Sequence, residues 1–264
     1  MKKILFFLII LASFVFIGYT FFIQPNEEFA ENDLYTEIIQ RGYIKVGINP
    51  DSEPFGFYDE KGRIIGYDAD LAANIAQYLV KHNSVKFIPV TPANRLIKVS
   101  TGEVDMVIST VTITPQRQEV VAFSNSYDNA SQALLVKSNS SIHDIQELSD
   151  RSIGIIFGTT AEKNIQRLVP TANIQGFKSY QDAYIALKNG KVDAISSDDT
   201  ILNKFTLKDK DVKLLPRRYS YEPYGIAFKK GNSTIKLQEE VNYAIKELKR
   251  RNIINSLHKK WGLG

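Results

Sequence analysis

The sequence predicts an α/β protein of two similar lobes, preceded by one apolar N-terminal helix. Three observations carry that prediction. Strand-like and helix-like runs alternate from about Asp33 onward, the alternation restarts after Val136 and Lys137, and a short segment recurs 88 positions later. Such alternation builds mainly parallel sheets with helices on both faces. At 264 residues the chain is long enough for two domains of roughly 100–200 residues.

In the first half, residues 44–48 (IKVGI) form a β-branched run, and residues 55–59 and 63–67 flank Glu60-Lys61-Gly62 with the spacing of a hairpin. Residues 70–82 place Leu71, Ile75, Tyr78 and Leu79 on one stripe of a helix. Residues 85–90 (VKFIPV) read as a strand, 94–102 as a helix closed by Gly102, and 105–109 (DMVIS) as a strand. The same order returns in 153–157 (IGIIF), 161–169, 173–177, 179–190, the strand VDAIS and TILNKF. VSTGEVDMVIST (99–110) lines up with LKNGKVDAISSD (187–198): each is a helix end, a glycine, a Val-Asp entry and a buried strand with a polar tip. The spacing is too long for a solenoid and suits two related lobes.

Ahead of this region, Lys2 and Lys3 precede an unbroken apolar run over residues 4–23. About 20 residues rising ~1.5 Å each cross the ~30 Å hydrocarbon core of a bilayer. A secretory signal has a shorter apolar stretch, about 7–15 residues, followed by a small-x-small cleavage site. Here Gly18-Tyr19-Thr20 lies inside the run, and Glu28-Phe29-Ala30 has the wrong first residue. The expectation is an uncleaved signal-anchor over residues 1–23, with a polar tether over 24–36 and everything beyond it exported. The alternative is a cleaved signal that leaves a secreted or periplasmic protein.

Composition removes several chemistries. Thirty-three Lys and Arg against 29 Asp and Glu leave a net charge of +4, too small and too scattered for a nucleic-acid binder. With no cysteine there is no disulfide, thiolate nucleophile or iron–sulfur cluster, nor the cysteine that would carry a lipoprotein anchor. His82, His143 and His258 stand far apart, which argues against a His-based metal site or a Ser-His-Asp triad. No cofactor is expected.

The strand tips carry the remaining chemistry, because in open α/β sheets the ligand crevice lies outside the carboxyl ends of the strands. After Thr110, the run VTITPQR puts Thr112 and Thr114 on one face if extended; Thr114 stands where an N-cap belongs and Pro115 at a helix's first position. Arg117 would then sit in the first turn, where an anion is preferred, so a carboxylate from outside could satisfy both it and the helix terminus. The plain alternative is a surface arginine. At the second tip, Asp198 either caps the helix that follows or, with Asp199 capping instead, stays free for a cation. An arginine on one lobe and an aspartate on the other complement a zwitterion.

At this point the stretches VGINPDSEPFGFYDEKGRIIGYDADLAANIA, PVTPANR, GEVDMVISTVTITPQR, IGIIFGTTAE, KVDAISSDDTIL, EPYGIAF and KKWGLG resemble bacterial extracellular solute-binding proteins of family 3, the receptors of polar amino-acid ABC importers. The similarity runs from about Tyr43 to the C-terminus. It implies a two-lobed periplasmic-binding-protein-like fold (type II), monomeric, closing on one free amino acid and delivering it to ABC permease subunits. It implies crossover segments near 131–137 and 221–228, so that lobe 1 spans 37–132 and 225–264 and lobe 2 spans 133–224.

The resemblance places the ligand's α-carboxylate on Thr112, Arg117 and the backbone around Thr110. It places the α-ammonium on Asp198 with help from Thr110, and lines the second lobe with Thr159 and Thr160, which could equally cap the following helix. Asn49, Arg95 and Tyr224 match positions that read the ligand side chain, although relatives resembling glutamate/aspartate receptors tend to carry Arg or Lys where Asn49 stands, and Tyr224 fits a core tyrosine nearly as well. Asn49 with Arg95 suits glutamine, glutamate, asparagine or aspartate better than a basic ligand. A cyclohexadienyl dehydratase on the same fold and a ligand-sensing module are the competing functions.

Overall fold

A computed structural model describes residues 33–263 except Asn83. The expected anchor and nearly all of the expected tether lie outside the described residues. Among the described residues no helix is long and apolar enough to cross a membrane. The last residues assigned to the tether are already helical. The helix Leu34–Arg41 starts there because the Asp33 carboxylate accepts from Tyr35 N and Thr36 N, and it is closed by Gly42 at φ 75°.

Two five-stranded sheets organise the rest. The first runs in the order Val85–Pro89, Ile44–Ile48, Met106–Val107, Ala227–Lys229, Val121–Phe123. Its first three strands are parallel, and Ala227–Lys229 is antiparallel to both of its neighbours. The second runs Asn173–Phe177, Ser152–Ile156, Ala194–Asp198, Gln132–Lys137, Val212–Leu214, again three parallel strands followed by antiparallel pairings. Within it, Gln132–Lys137 is apolar on both faces: Leu134 and Val136 enter one core, Leu135 the other. The helix Tyr67–Leu79 packs on Ile44–Ile48 and on the C-terminal helices Ile235–Arg250 and Ile253–Trp261, so the end of the chain returns to the first lobe.

The lobes are joined by a two-stranded antiparallel ladder of Asp128–Ala130 with Glu222–Tyr224. This corrects the first crossover, expected at 131–137. That run is buried on both faces and is drawn into the second sheet, leaving the polar residues before it to bridge. The second ladder strand falls inside the expected 221–228 segment, whose last residues join the first sheet as Ala227–Lys229.

The recurring segment is a matched pair in three dimensions. Gly102 (φ 80°) donates to Val99 O, and Gly190 (φ 72°) donates to Leu187 O. Asp105 N donates to Lys45 O while Lys45 N donates to Asp105 Oδ2 at 2.7 Å; Asp193 N donates to Ser152 O while Ser152 N donates to Asp193 Oδ2 at 2.9 Å. Each aspartate thus ties its strand to the neighbouring parallel strand by a reciprocal pair of bonds. The two carboxyl ends, Ser109-Thr110 and Ser197-Asp198, both carry residues that the sequence makes site candidates.

Candidate functional site: an arginine and an aspartate across two closed lobes

On the first lobe the chain after Thr110 runs as the sequence predicts. Thr114 is extended (φ −135°), its hydroxyl accepts from Arg117 N at 3.2 Å, and Pro115 opens the short helix Pro115–Val120. Arg117 is half-buried. Its Nη1 donates to Thr112 O and its Nη2 donates across the cleft to Gly158 O, each at 2.8 Å. Two of five N–H groups are thereby used. Thr112 faces Tyr224 as an isolated antiparallel bridge. The flanking bonds, Ile113 N to Pro223 O and Gly225 N to Val111 O, leave Thr112's own N–H and C=O on the side away from that strand, where Arg117 meets the carbonyl.

Thr110 lies in the left-handed region at φ 46°, a strained position for a β-branched residue. Its N–H donates to Asp68 Oδ2 at 3.2 Å and lies 3.3 Å from the Tyr127 hydroxyl, so it is turned inward. Arg95, buried, holds the other side of the bend by donating from Nη1 to Ser109 O and, at 3.4 Å, to Thr110 O. Its Nε is buried with no partner. Asn49, also buried, turns its Oδ1 back onto Asp51 N at 3.1 Å, while its N–H donates to Ser109 Oγ at 3.1 Å.

On the second lobe Asp198 occupies the N-cap position of the helix Asp199–Lys208 without capping it. Asp199 instead accepts from Thr200 N, Ser131 N and Arg218 Nε, so Asp198 is not the cap of this helix. Asp198 is buried and accepts from the Tyr224 hydroxyl at Oδ2. Tyr224 is fully buried, edge-on to Phe55 at 5.6 Å, so it is a core tyrosine whose polar end is spent on Asp198. Thr159 stabilises its own turn, donating to Ile156 O at 2.8 Å and accepting from Ala161 N at 3.4 Å. Thr160 makes no side-chain cap; its hydroxyl donates to Glu222 Oε2 at 2.9 Å.

The lobes are shut over this site. Besides the bond from Arg117 to Gly158, Tyr180 N donates to Asp51 Oδ2 at 2.6 Å, and Lys208 pairs with Glu53 at 2.6 Å. Gly158 (φ 80°) lies so close to the facing lobe that a Cβ there would stand 2.3 Å from Pro92 O.

Burial dominates the electrostatics. It pushes the Asp198 carboxyl up to about 7, with the Glu222 charge adding to it and the Tyr224 hydrogen bond and Arg95 opposing it. It draws Arg117 down to about 10, with the nearby Arg95 charge in the same direction and Asp198 and Glu222 against it. Arg95 is also lowered by burial. Arg117, Arg95, Asp198 and Glu222 therefore share one field. Among the described residues none of the four stands in an ion pair with another.

Three further polar residues at the site escape a sequence reading. Asp68, completely buried and pushed up to about 8 by that burial, looks in sequence like an ordinary acid in the first turn of a helix. Glu222 looks like a surface residue beside Pro223, and Gln132 like the polar start of a strand. Nothing in the local pattern marks them; Asp68 is met by Thr110 and Tyr127 of its own lobe, and Gln132 and Glu222 meet Thr160 of the second lobe beside the crossover ladder.

The chain resembles known proteins along most of its length. Residues 44–264 match the family described as bacterial extracellular solute-binding proteins, family 3. The chain belongs to this family. Among relatives of this solute-binding protein, the ABC transporter glutamine-binding protein GlnH of Bacillus subtilis (strain 168) is 33% identical over 235 residues, 88% of this chain and 85% of that one. A mutant of ArgBP from T. maritima superposes with a TM-score of 0.81 at 32% identity, covering 87% of this chain and 99% of that one. The ancestral amino acid-binding protein AncCDT-1, a precursor of cyclohexadienyl dehydratase, superposes with a TM-score of 0.80 at 31% identity, covering 86% and 99%. These are binding proteins, and the chain is a solute-binding protein rather than an enzyme.

Proposed function

We propose that this protein is the extracytoplasmic receptor of an ABC importer and that it closes on one free polar amino acid, with glutamine preferred over asparagine, glutamate and aspartate. The observation that carries the reading is the pair of opposite charges, half-buried Arg117 and buried Asp198, that face one cleft from different lobes without pairing to each other. A buried charge left unpaired is costly, and a zwitterion between the lobes satisfies both. Its carboxylate takes the free N–H groups of Arg117 together with the Thr112 N–H on the same side. Its ammonium takes Asp198.

Charge bookkeeping favours an amide side chain. With Asp68 held protonated by its burial, Arg95 and Arg117 balance Asp198 and Glu222, so a ligand with no net charge keeps the closed site neutral, whereas glutamate adds an uncompensated negative charge. A basic side chain would meet Arg95, whose buried Nε lacks an acceptor that a side-chain carbonyl supplies. The glutamine-binding relative from Bacillus subtilis supports the same choice. Thr159 lines the second lobe, and Asn49 and Tyr224 shape the pocket through Asp51 and Asp198.

Closure is the mechanism. Open lobes sample the shut form, and a ligand that touches both stabilises it by its differential affinity. The shut lobes, joined by the ladder of Asp128–Ala130 with Glu222–Tyr224, then present a surface to the permease. The monomer stays at the membrane through residues 1–23, and N-terminal sequencing of the mature protein that began near residue 30 would refute the anchor.

Isothermal titration of the exported part with each common amino acid tests the ligand. Glutamine is expected to bind with micromolar affinity or better, which requires about 8 kcal/mol. Tightest binding of arginine or histidine would overturn the choice of side chain.

A further inference from the structure

Gln132 opens the second-lobe strand Gln132–Lys137 immediately after the crossover, and its side chain is wholly buried. Its Nε2 donates to Thr160 Oγ1 at 3.0 Å, and Thr160 Oγ1 donates to Glu222 Oε2 at 2.9 Å. The direction of this relay is forced. An ionised carboxylate only accepts, so the one hydroxyl proton of Thr160 goes to Glu222, and the hydroxyl lone pair must take an amide N–H. The Gln132 amide therefore turns its nitrogen to Thr160 and its oxygen away. That oxygen is buried and has no hydrogen-bond partner among the described residues, a condition folded proteins rarely leave unmet.

Strand register says what lies beside it. Gln132 stands directly opposite Asp198. Its backbone groups are engaged on its other side, with Gln132 N donating to Ser220 Oγ at 3.0 Å and Tyr219 N donating to Gln132 O at 3.2 Å. Gln132 and Asp198 are thus a non-hydrogen-bonded pair, the kind whose side chains come closest on one face of a sheet. Asp198 already accepts from Tyr224 at Oδ2. An ammonium group has three N–H bonds to place, and one carboxylate cannot take them all.

We propose that Gln132 presents its amide oxygen to the ligand's α-ammonium group beside Asp198, oriented by the Thr160–Glu222 relay. The assignment rests on reading Asp198 as the ammonium acceptor. It makes Gln132 a determinant of selectivity for α-amino acids over their des-amino counterparts.

The test is calorimetry with L-glutamine and, by displacement, with glutaramate, which is glutamine without its α-amino group. Gln132→Met, close in shape and apolar, is expected to weaken glutamine binding about 10- to 100-fold, the effect of losing a hydrogen bond to a charged group. Glutaramate binding should not change. Equal losses for both ligands, or no loss for glutamine, overturn the assignment. Asp198→Asn in the same assay separates this inference from its basis. If that variant binds glutamine normally, the ammonium site is misplaced and the role of Gln132 falls with it. If it loses binding while Gln132→Met does not, the role of Gln132 alone falls.

Discussion

Residues 99–110 of the first lobe and 187–198 of the second share their hydrogen bonds up to the strand and part at its last residue. Both have a left-handed glycine after the helix and an aspartate that grips the neighbouring strand through a reciprocal pair of bonds. At the tip, Thr110 turns into the left-handed region with its N–H tied to Asp68, whereas Asp198 stays in the β region and a helix starts at once. The shared part is made of backbone bonds, which survive wide change in side chains. The tips are where one scaffold diverges: a bend leading to Arg117 on one lobe, and on the other a carboxylate that accepts from the Tyr224 hydroxyl.

Breaking the two tips should have the largest effect. Arg117→Ala and Asp198→Ala are each expected to cost at least 100-fold in affinity, about 2.7 kcal/mol; Arg117→Ala should leave thermal unfolding of the unliganded protein nearly unchanged, whereas Asp198→Ala also orphans the buried Tyr224 hydroxyl, a cost of about 1–3 kcal/mol. Calorimetry that finds near-normal affinity in either variant removes that residue from the site.

Glycines distinguish closure from stability. Gly158→Ala places a Cβ 2.3 Å from Pro92 O at a φ of 80°, so it should oppose closure and weaken binding about tenfold or more. Gly102→Ala has the same φ with nothing within 4 Å. It should lower stability by about 1 kcal/mol and leave affinity alone. Titration and thermal melts of the two variants read the contrast directly.

The matched aspartates differ in burial. Asp105 is 4% exposed and also pairs with Arg41, while Asp193 is 40% exposed. Asp105→Ala orphans donors that water reaches poorly and should cost about 2–3 kcal/mol, against about 1 kcal/mol or less for Asp193→Ala. Equal losses in urea unfolding would show that the second strand bond depends on its carboxylate as much as the first.

The pH responses of binding and of unliganded stability are opposite in sign. An ammonium ligand needs the ionised Asp198, so affinity should fall as pH drops through about 7, approaching tenfold per unit. Without ligand the trend reverses. A carboxyl raised from an unfolded value near ~3.9 holds its proton more firmly in the folded state, so its contribution is full at low pH and is lost as pH rises from about 4 to about 7. Asp68, pushed up to about 8, acts in the same direction. Asp198→Asn should flatten the binding profile and only part of the stability profile.

Elements with a strong local period were legible in the sequence. Residues 44–48, 161–169, 173–177 and 179–190 read as strand, helix, strand and helix, and they fold as Ile44–Ile48, Ala161–Leu168, Asn173–Phe177 and Tyr180–Lys188. The Thr114–Pro115 helix start was equally plain, because capping is a matter of three adjacent residues. The crossover ladder was not. Each of its strands has three residues, one contains Pro223, and neither has a period to read. Tyr224 shows the same limit: its sequence could not say whether it faces ligand or core, and its hydroxyl ends on Asp198.

By itself, the sequence determined the two sheets, their repeat and the pair of charged tips, because apolar period, glycine position and capping act over a few residues. Tertiary structure alone decided which polar groups are buried and whom they meet. Asp68 acquires its role from Thr110 and Tyr127 of its own lobe, and Gln132 and Glu222 theirs where the second lobe meets the crossover, since burial and the direction of a hydrogen-bond relay depend on neighbours tens of residues away in the chain.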